Sequence, residues 1–173
     1  MAILHGWRLC PRCGAELDLG STPARVSCPE CGFVAYANPK PSASALITDD
    51  SGRLLLGRRA FEPSASRWDS IGGFIEEGED PLVAVVREAR EEAGLEVEPG
   101  EFVGVWTDTY GLGPDSQTTL NLFWEARVIG GELGAADDVA ELGWFPPASL
   151  PSRDEIAFDA VALALEVWRM RRP

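Results

Sequence analysis

Apolar residues recur with helical spacing in the stretch between residues 80 and 95. They fall on one side of a 3.6-residue period, and they are Leu82, Val85, Val86, Ala89 and Ala93. An apolar side of this kind packs against a core. Asp80 and Pro81 are typical of a helix start, and Gly94 is typical of a helix end. The pattern therefore predicts an amphipathic helix that ends at Gly94.

Strand-forming runs lie on both sides of this helix. They cover residues 42–48, 53–57, 102–110, 118–128 and 141–146. Residues 49–52 predict a hairpin turn, residues 111–116 a second turn, and residues 36–41 an extended connection. Residues 154–172 predict a second helix, with arginines near its end. This order predicts an α/β fold in which helices pack on a mixed sheet.

Three glutamates on the predicted helix form a candidate metal-binding site. Glu88, Glu91 and Glu92 are spaced i, i+3 and i+4, so their carboxylates share one face. A solvated acidic face is the ordinary interpretation. Arg87 alone offsets little of this charge, however, and the glycine pair at 72–73 lets the backbone approach a ligand closely. Clustered carboxylate oxygens favour a Mg²⁺ or Mn²⁺ site.

The stretch from residue 73 to residue 95 resembles the signature of the Nudix hydrolases. The signature positions are Gly73, Glu79, Arg87, Glu88, Ala89, Glu91, Glu92, Gly94 and Leu95. The resemblance implies the Nudix α/β/α sandwich with a mixed sheet over residues 42–168, with the signature helix lying over the sheet. It also implies hydrolysis of the pyrophosphate bond in a nucleoside diphosphate that is linked to another moiety.

The resemblance further implies the ligands of the catalytic metal. Glu92 is implied as a principal ligand of Mg²⁺ or Mn²⁺, and Glu88 and Glu91 are implied to assist it. The carbonyl of Gly73, or of its neighbour, is implied to join them. Divalent cations held in this way neutralise the phosphate oxygens and activate a water for in-line attack.

Other residues are implied to act around this metal site. Arg87 is implied to orient the carboxylates, and Glu79 is implied to support the loop or an outer-shell water. The general base differs between Nudix subgroups and often lies on a later loop. The candidates here are Glu141, Asp137 and Asp138.

Cations and aromatic residues outside the signature are candidate substrate contacts. The cations are Arg58, Arg59 and Lys40, and the aromatic residues are Trp106, Tyr110 and Trp124. The two arginines are either surface charge or ligands of substrate phosphate, because a guanidinium binds phosphate oxygens in pairs. The aromatic residues either belong to the core or stack on a nucleobase.

All four cysteines lie near the start of the chain, in two short repeats. The repeats are Cys10-Pro-Arg-Cys13-Gly14 and Cys28-Pro-Glu-Cys31-Gly32. Two such knuckles present four thiolates to one tetrahedral Zn²⁺. Disulfides fit a cytosolic chain poorly, and a redox dithiol would not need a second copy. We predict a structural zinc ribbon over residues 1–37, followed by the Nudix domain over residues 38–173.

Composition and charge narrow the classes of partner. The chain is 45% hydrophobic and 25% charged, and its formal net charge is −13 at pH 7. A strongly acidic chain gains nothing from attraction to phosphate backbones, so a nucleic-acid module is disfavoured. No apolar run reaches the length of a membrane helix, and no signal-peptide pattern is present. We expect a cytoplasmic protein, a small nucleotide substrate, and assembly as a homodimer.

A ribbon followed by a Nudix domain resembles a subgroup that includes the NADH pyrophosphatases. Those enzymes carry a run, Ser-Gln-Pro-Trp-Pro-Phe-Pro-x-Ser, after the signature, and nothing in this chain matches it. We therefore expect ADP-ribose or a similar ADP-linked compound to be preferred over NADH or FAD. The alternatives are a nucleotide-binding regulatory module without turnover and an RNA-cap-processing enzyme. Residues 1–35 are not basic, since this segment contains three arginines and three acidic residues, whose charges cancel.

Overall fold

The computed structural model describes residues 3–20, 24–113 and 116–172. The chain divides into two units, one formed by residues 1–40 with 109–119 and the other by residues 41–108 with 120–173. The first unit carries the cysteine knuckles and the second carries the signature helix. Residues 114 and 115, in the second predicted turn, lie outside the described residues.

A small antiparallel hairpin lies in the first unit. It is formed by β1 (Arg25–Ser27) and β2 (Val34–Tyr36), with Val26 opposite Ala35. The Val26 side chain is buried, so the hairpin packs around this residue. A 3₁₀ helix at Ile3–Gly6 precedes it.

The remaining strands form a seven-stranded sheet, and two α-helices accompany it. The elements are β3 (Lys40–Thr48), β4 (Leu54–Arg59), β5 (Trp68–Asp69), β6 (Ile71–Phe74), α1 (Pro81–Ala93), β7 (Leu95–Tyr110), β8 (Gln117–Gly131), β9 (Val139–Phe145) and α2 (Asp159–Met170). The strand order is β5-β4-β3-β8-β7, with β6 paired to β3 and β9 paired to β4. β3 begins at Lys40, inside the stretch that was predicted as a connection, because its residues already pair with the sheet.

Hydrophobic side chains divide between the two faces of this sheet. In β3, Leu46 belongs to the core cluster on one face and Ile47 to the cluster on the other, as the period of two requires. Trp168 of α2 lies in the first cluster and Val85 of α1 in the second. The two helices therefore cover opposite faces of the sheet. This confirms the predicted fold class, a mixed sheet between two helical layers.

The predicted ends of α1 are confirmed. The Asp80 carboxylate accepts a hydrogen bond from the Leu82 N–H at 2.8 Å, and Pro81 is the first helical residue. Gly94 ends the helix in the left-handed conformation, with φ of 69°. These signals act within a few residues, which is why the sequence alone predicts them.

The predicted buried face of α1 is wrong for two residues. Leu82 and Val86 are 42% and 36% exposed, whereas Glu88 and Glu92 are 8% and 7% exposed. The small residue Ala84 is fully buried on the same side as these two glutamates. The helix is rotated from its predicted orientation, so that the buried side holds Ala84, Val85, Ala89 and Ala93 together with the two glutamates. Leu82 and Val86 lie outside that side.

The second predicted helix is shorter than expected. α2 begins only at Asp159, and a separate 3₁₀ turn spans Arg153–Glu155. Between them Ile156 is buried, and the Ala157 N–H donates to the Trp68 carbonyl at 2.8 Å. The segment before α2 thus pairs with the edge of the sheet and does not continue the helix.

The chain that follows β8 binds the end of α1. Three backbone N–H groups of this segment donate to the last carbonyls of the helix and its cap: Glu132 to Gly94, Gly134 to Ala93 and Ala136 to Glu92, at 3.2, 3.0 and 3.1 Å. Carbonyl groups at a helix end lack partners within the helix, so this segment supplies them. It is thereby held beside the last turn of α1.

We predict that Gly94→Ala destabilises the protein more than Gly52→Ala does. Both glycines have positive φ, of 69° and 75°, so both substitutions carry the left-handed penalty of roughly 1–2 kcal/mol. A Cβ at residue 94 would also lie 2.4 Å from the Glu132 carbonyl oxygen, whereas nothing lies within 4 Å at residue 52. Urea unfolding of the two variants measures the difference. Equal losses would show that the segment after β8 yields freely.

Candidate functional site

Two buried glutamates of α1 face the glycine turn of β6. The Glu92 carboxylate accepts a hydrogen bond from the Gly72 N–H at 2.9 Å. The Glu88 carboxylate lies against Gly73, where an added Cβ would be 2.4 Å from one of its oxygens. A side chain at residue 73 would therefore displace the Glu88 carboxylate from its place against the turn. The sequence predicts that the backbone closely approaches another group here, and in the structure that group is the Glu88 carboxylate.

Arg87 joins the remaining signature carboxylates. Its guanidinium donates to Glu79 at 2.8 Å, to Glu88 at 2.7 Å and to Glu91 at 3.0 Å. It also donates to the Phe74 carbonyl at 3.1 Å. One arginine thus fixes the loop before the helix and two carboxylates on the helix. Glu91 is the exposed member of this group, with about half of its side chain accessible.

Burial gives these carboxyl groups unusual proton affinities. Burial raises the pKa of Glu92 to about 10, and a hydrogen bond and charge interaction with Asp138 act in the same direction. Burial also raises the pKa of Glu88, against the opposing effect of Arg87. By contrast, the hydrogen bond from Arg87 lowers the pKa of Glu79 to about 2. Negative charge is therefore unfavourable on the two buried glutamates, Glu88 and Glu92, unless a further cation compensates it.

Asp138 reaches the same place from the segment before β9. Its carboxyl group lies close enough to that of Glu92 to raise the pKa of Glu92. Its carbonyl accepts from the Ala60 N–H at 2.7 Å, and Ala136 is bound to the end of α1. Asp137 precedes it with φ of 53°, a left-handed turn that carries the chain to this position. Of the three candidate bases, the structure brings Asp138 to the glutamates.

The chemistry of this donor set fits a divalent cation. Buried carboxyl oxygens without enough positive charge around them are the groups that Mg²⁺ and Mn²⁺ bind. Glu88, Glu92 and Asp138 are the side chains placed to hold such an ion, and Glu91 lies at the outer side. Within the described residues, only the four cysteines bring three or more ligand atoms within 4.8 Å of one another. The carboxylates therefore lie near one another without a finished ligand geometry.

The four cysteines of the first unit are arranged as two equal knuckles. In each, the first Cys N–H donates to the carbonyl five residues later, and the following Gly N–H donates back to that Cys carbonyl, at 2.7–3.0 Å. Gly14 and Gly32 take positive φ, of 77° and 71°. The sulfur atoms Cys10–Cys31 and Cys13–Cys28 are 3.6 and 3.5 Å apart. Zn–S bonds of about 2.3 Å in a tetrahedron require closely similar spacings, so this cluster can bind one metal ion.

Comparison with known proteins identifies the domain. Residues 38–165 match the family model of the NUDIX domain. The chain belongs to the NUDIX family. The resemblance that was inferred from the signature is thereby confirmed.

Curated relatives carry two kinds of name. The chain is 34% identical over 139 residues to the ADP-ribose pyrophosphatase of Methanocaldococcus jannaschii, covering 79% of this chain and 77% of that protein. It is 32% identical over 145 residues to the NAD-capped RNA hydrolase NudC of Pseudomonas aeruginosa, covering 83% of this chain but 49% of that protein. The chain thus spans about half the length of the NudC relatives that it matches.

A solved structure supports the fold over nearly the whole chain. A NUDIX hydrolase from Nitrosomonas europaea superposes with a TM-score of 0.80 at 25% identity, covering 96% of this chain and 92% of that one.

Glu141, one of the three candidate general bases, lies away from the Nudix signature residues, which are gathered around α1. Glu141 lies opposite Arg58 in the β4–β9 pair, and the two side chains form an ion pair at 3.1 Å. The Arg58 guanidinium lies 4.5 Å from the ring of Trp68, a member of the α2 cluster. Alternation along the strands therefore places this pair on the α2 face of the Nudix sheet. The signature glutamates lie on the α1 face.

Arg59, like Arg58, forms an ion pair with a carboxylate of the protein. Its guanidinium donates to the Asp69 carboxylate at 3.1 Å and to the Pro63 carbonyl at 2.8 Å, and it lies 5.2 Å from the ring of Phe158. Burial raises the pKa of Asp69 to about 6, although Arg59 opposes the shift. Both arginines thus form ion pairs within the protein, Arg58 at a partly exposed position and Arg59 at a largely buried one.

Two of the three candidate aromatic residues also pack within the protein. Trp106 packs against Phe123 in the α2 cluster with ring centres 5.7 Å apart, and Trp124 packs against Phe102 at 5.1 Å beside the α1 cluster. These contacts favour the core interpretation for both tryptophans. Tyr110 is half-buried at the end of β7, and Lys40 is exposed at the start of β3.

Among the described residues, no helix combines the length and the hydrophobicity that spanning a bilayer requires.

We predict that Glu92→Gln stabilises the protein when Mg²⁺ and Mn²⁺ are absent. The pKa of about 10 in the folded protein lies above the ordinary glutamate pKa of 4.5, so between these values folding requires proton uptake. Wild-type stability should therefore fall as pH rises through this range, by up to about 1.4 kcal/mol per pH unit. The amide cannot ionise and can still accept from Gly72.

Urea unfolding of both proteins between pH 5 and pH 9 measures this difference. Glu101→Gln is the matched control, since the Glu101 side chain is 86% exposed. A stability difference that stays constant across this pH range would contradict the assignment of Glu92 as a protonated, buried acid.

Proposed function

We propose that this chain is a divalent-metal-dependent Nudix pyrophosphohydrolase. Its reaction is hydrolysis of the pyrophosphate bond in a nucleoside diphosphate that is linked to another moiety, releasing a nucleoside monophosphate and a phosphorylated remainder. The observation that supports this most is the buried pair Glu88 and Glu92, held against the glycine turn with Asp138 beside them. Such a pair costs stability, so it is retained for a purpose other than folding.

The residues of the site have separate tasks in this proposal. Glu92, Glu88 and Asp138 hold Mg²⁺ or Mn²⁺, with Glu91 and the Gly73 carbonyl as further candidate ligands. When bound, the cation supplies neutralisation of phosphate charge and a lowered pKa of bound water.

Arg87 fixes the carboxylates through its bonds to Glu79, Glu88 and Glu91. The low pKa of Glu79 keeps it ionised, so this arginine stays paired at the loop. Asp138 is the side chain best placed to accept a proton beside the metal ligands. Glu141 is held by Arg58 on the other face, so we do not assign it this role.

ADP-ribose, or a similar ADP-linked compound, is the proposed substrate. The relative named ADP-ribose pyrophosphatase is matched over most of its length, whereas the NudC relatives are matched over about half of theirs. The run typical of NADH pyrophosphatases is absent from the chain. Hydrolysis of NAD-capped RNA is the second candidate, because several relatives carry that name. The net charge of −13 favours the small substrate.

We further propose that Cys10, Cys13, Cys28 and Cys31 hold one structural Zn²⁺. The sulfur spacings and the repeated knuckle geometry support this. Four thiolates leave no open coordination position, so the ion would stabilise the fold without taking part in hydrolysis. Homodimer assembly and cytoplasmic location stay predictions.

Purified protein should hydrolyse ADP-ribose to AMP and ribose 5-phosphate only when Mg²⁺ or Mn²⁺ is added. Glu92→Gln should lower kcat/KM by roughly 100-fold or more, because it removes a charge that binds the metal. Glu101→Gln is the control and should keep wild-type activity. The substrates to compare are ADP-ribose, NADH, FAD and NAD-capped RNA.

The outcomes of this assay distinguish the candidates. A kcat/KM for ADP-ribose above that for NADH supports the proposal. A tenfold or greater preference for NADH would assign the chain to the NADH pyrophosphatases. A similar preference for NAD-capped RNA would assign it the activity for which the NudC relatives are named. No turnover with any of these compounds, together with tight nucleotide binding, would show a regulatory module.

Elemental analysis should find about one zinc per chain, and Cys28→Ser should lose it. Removal of the zinc should unfold the first unit, because a segment of this size buries too little surface to fold alone. Circular dichroism and thiol titration before and after metal removal measure this. Four freely reactive thiols in protein purified without chelators would refute the zinc assignment.

A further inference from the structure

The loop between β4 and β5, residues 60–67, lies against the segment that carries Asp138. The Ala60 N–H donates to the Asp138 carbonyl at 2.7 Å. Two residues before Asp138, the Ala136 N–H donates to the Glu92 carbonyl at 3.1 Å. A short stretch of backbone thus connects the start of this loop to a residue of the proposed metal site. Phe61 is the next residue of the loop, so its backbone lies close to that of Asp138.

Hydrogen bonds hold the β4–β5 loop at its ends and near its middle. The Arg59 N–H donates to the Arg67 carbonyl at 3.0 Å, and the Ser66 N–H donates to the Arg59 carbonyl at 2.9 Å. The Ser64 hydroxyl donates to the Ala157 carbonyl at 3.1 Å, which ties the loop to the segment before α2. Ser64 and Ser66 take positive φ, of 63° and 66°, a conformation that is unfavourable for residues other than glycine. Such strain persists where surrounding contacts impose it, and it is concentrated at functional sites.

Phe61 is exposed on this braced loop, with an exposed fraction of 64%. A single exposed apolar residue is ordinary in proteins. Phe61 differs in that its loop is held by several hydrogen bonds and begins at the Asp138 backbone. By contrast, Trp106 and Trp124 pack against other rings of the protein. Phe61 is therefore an aromatic side chain that is open to a ligand at a defined place beside the proposed metal site.

We propose that Phe61 binds substrate by stacking on the nucleobase of the nucleoside diphosphate. This rests on the proposed function, which places the diphosphate at a metal held by Glu88, Glu92 and Asp138. The base is separated from the diphosphate by one ribose, so it lies on the surface next to the metal site, where Phe61 is exposed. Stacking needs only the flat face of a base, so this contact selects nucleotides without selecting one base. The sequence does not single out Phe61, because its proximity to Asp138 arises from strand pairing.

Two ligands that are not hydrolysed isolate the contribution of the nucleoside. The first is α,β-methylene-ADP, which carries adenosine, and the second is methylenediphosphonate, which lacks it. Calorimetry at saturating Mn²⁺ gives the Kd for each ligand, and steady-state kinetics give kcat and KM for ADP-ribose. The variants are Phe61→Ala, Phe61→Leu and Phe61→Trp, of which the leucine variant keeps an apolar side chain without a ring. Met170→Ala is the control, since Met170 is a 75% exposed apolar residue at the end of α2.

Phe61→Ala should raise the Kd for α,β-methylene-ADP about tenfold, which is within the range for loss of one stacked base. The Kd for methylenediphosphonate should change less than twofold. Phe61→Leu should lose most of the same affinity, and Phe61→Trp should stay within threefold of the wild type. The KM for ADP-ribose should rise with the Kd while kcat changes less than twofold, because the stack is present before and during reaction. Met170→Ala should match the wild type, and thermal unfolding should show that all variants are folded.

Three results would overturn the proposal. The first is wild-type affinity of Phe61→Ala for α,β-methylene-ADP, which would leave Phe61 as ordinary surface. The second is an equal loss of affinity for both ligands, which would show that Phe61 supports the loop and not the base. The third is wild-type affinity in Phe61→Leu, which would exclude stacking. Failure of the wild type to hydrolyse ADP-ribose with Mn²⁺ would refute the proposed function, while the two Kd values would still report on Phe61.

Discussion

Contact between two buried carboxyl groups and a glycine turn determines the arrangement of this Nudix domain. The Glu92 carboxylate is bonded to the Gly72 N–H, and the Glu88 carboxylate occupies the space that a side chain at Gly73 would need. With the two carboxyl groups on the buried side of α1, Leu82 is exposed, although its position in the sequence favours burial. The rest of that buried side is formed by Ala84, Val85, Ala89 and Ala93.

Charge around this contact is balanced from two sides. Arg87 pairs with Glu79, Glu88 and Glu91, and Arg59 pairs with Asp69. Burial and the nearby Asp138 raise the pKa of Glu92, which favours its protonated form. A divalent cation can replace that proton, which is why the same geometry that costs stability can bind a metal.

The sequence predicted those features that depend on nearby residues. The caps of α1 and the two cysteine knuckles each form within a few positions, so local pattern was sufficient. The signature named the residues around α1 because their spacing is itself the signal. It could not show that Glu88 and Glu92 turn inward while Glu91 does not. Periodicity reports which residues share a side of the helix, not which side faces the sheet.

Features that depend on strand register were beyond the sequence. Asp138 and Glu141 are three residues apart, and both were candidates for the same role. Pairing of β9 with β4 sends Glu141 to Arg58 on the α2 face, while contacts to the end of α1 bring Asp138 to Glu92. A register shift at the end of β4 takes part in this separation. No local pattern encodes that shift.

The pairing of the arginines has a consequence for how an acidic protein would attract a diphosphate. Arg58, Arg59 and Arg87 all form ion pairs within the protein, with Glu141, with Asp69, and with three signature glutamates. These carboxylates compete with phosphate for the same guanidinium groups, most strongly at the largely buried Arg59–Asp69 pair. Attraction of the diphosphate would then fall mainly on the metal ions held by the carboxylates. A site of this kind recognises the diphosphate itself, and it discriminates between the groups on either side only through contacts made beyond it.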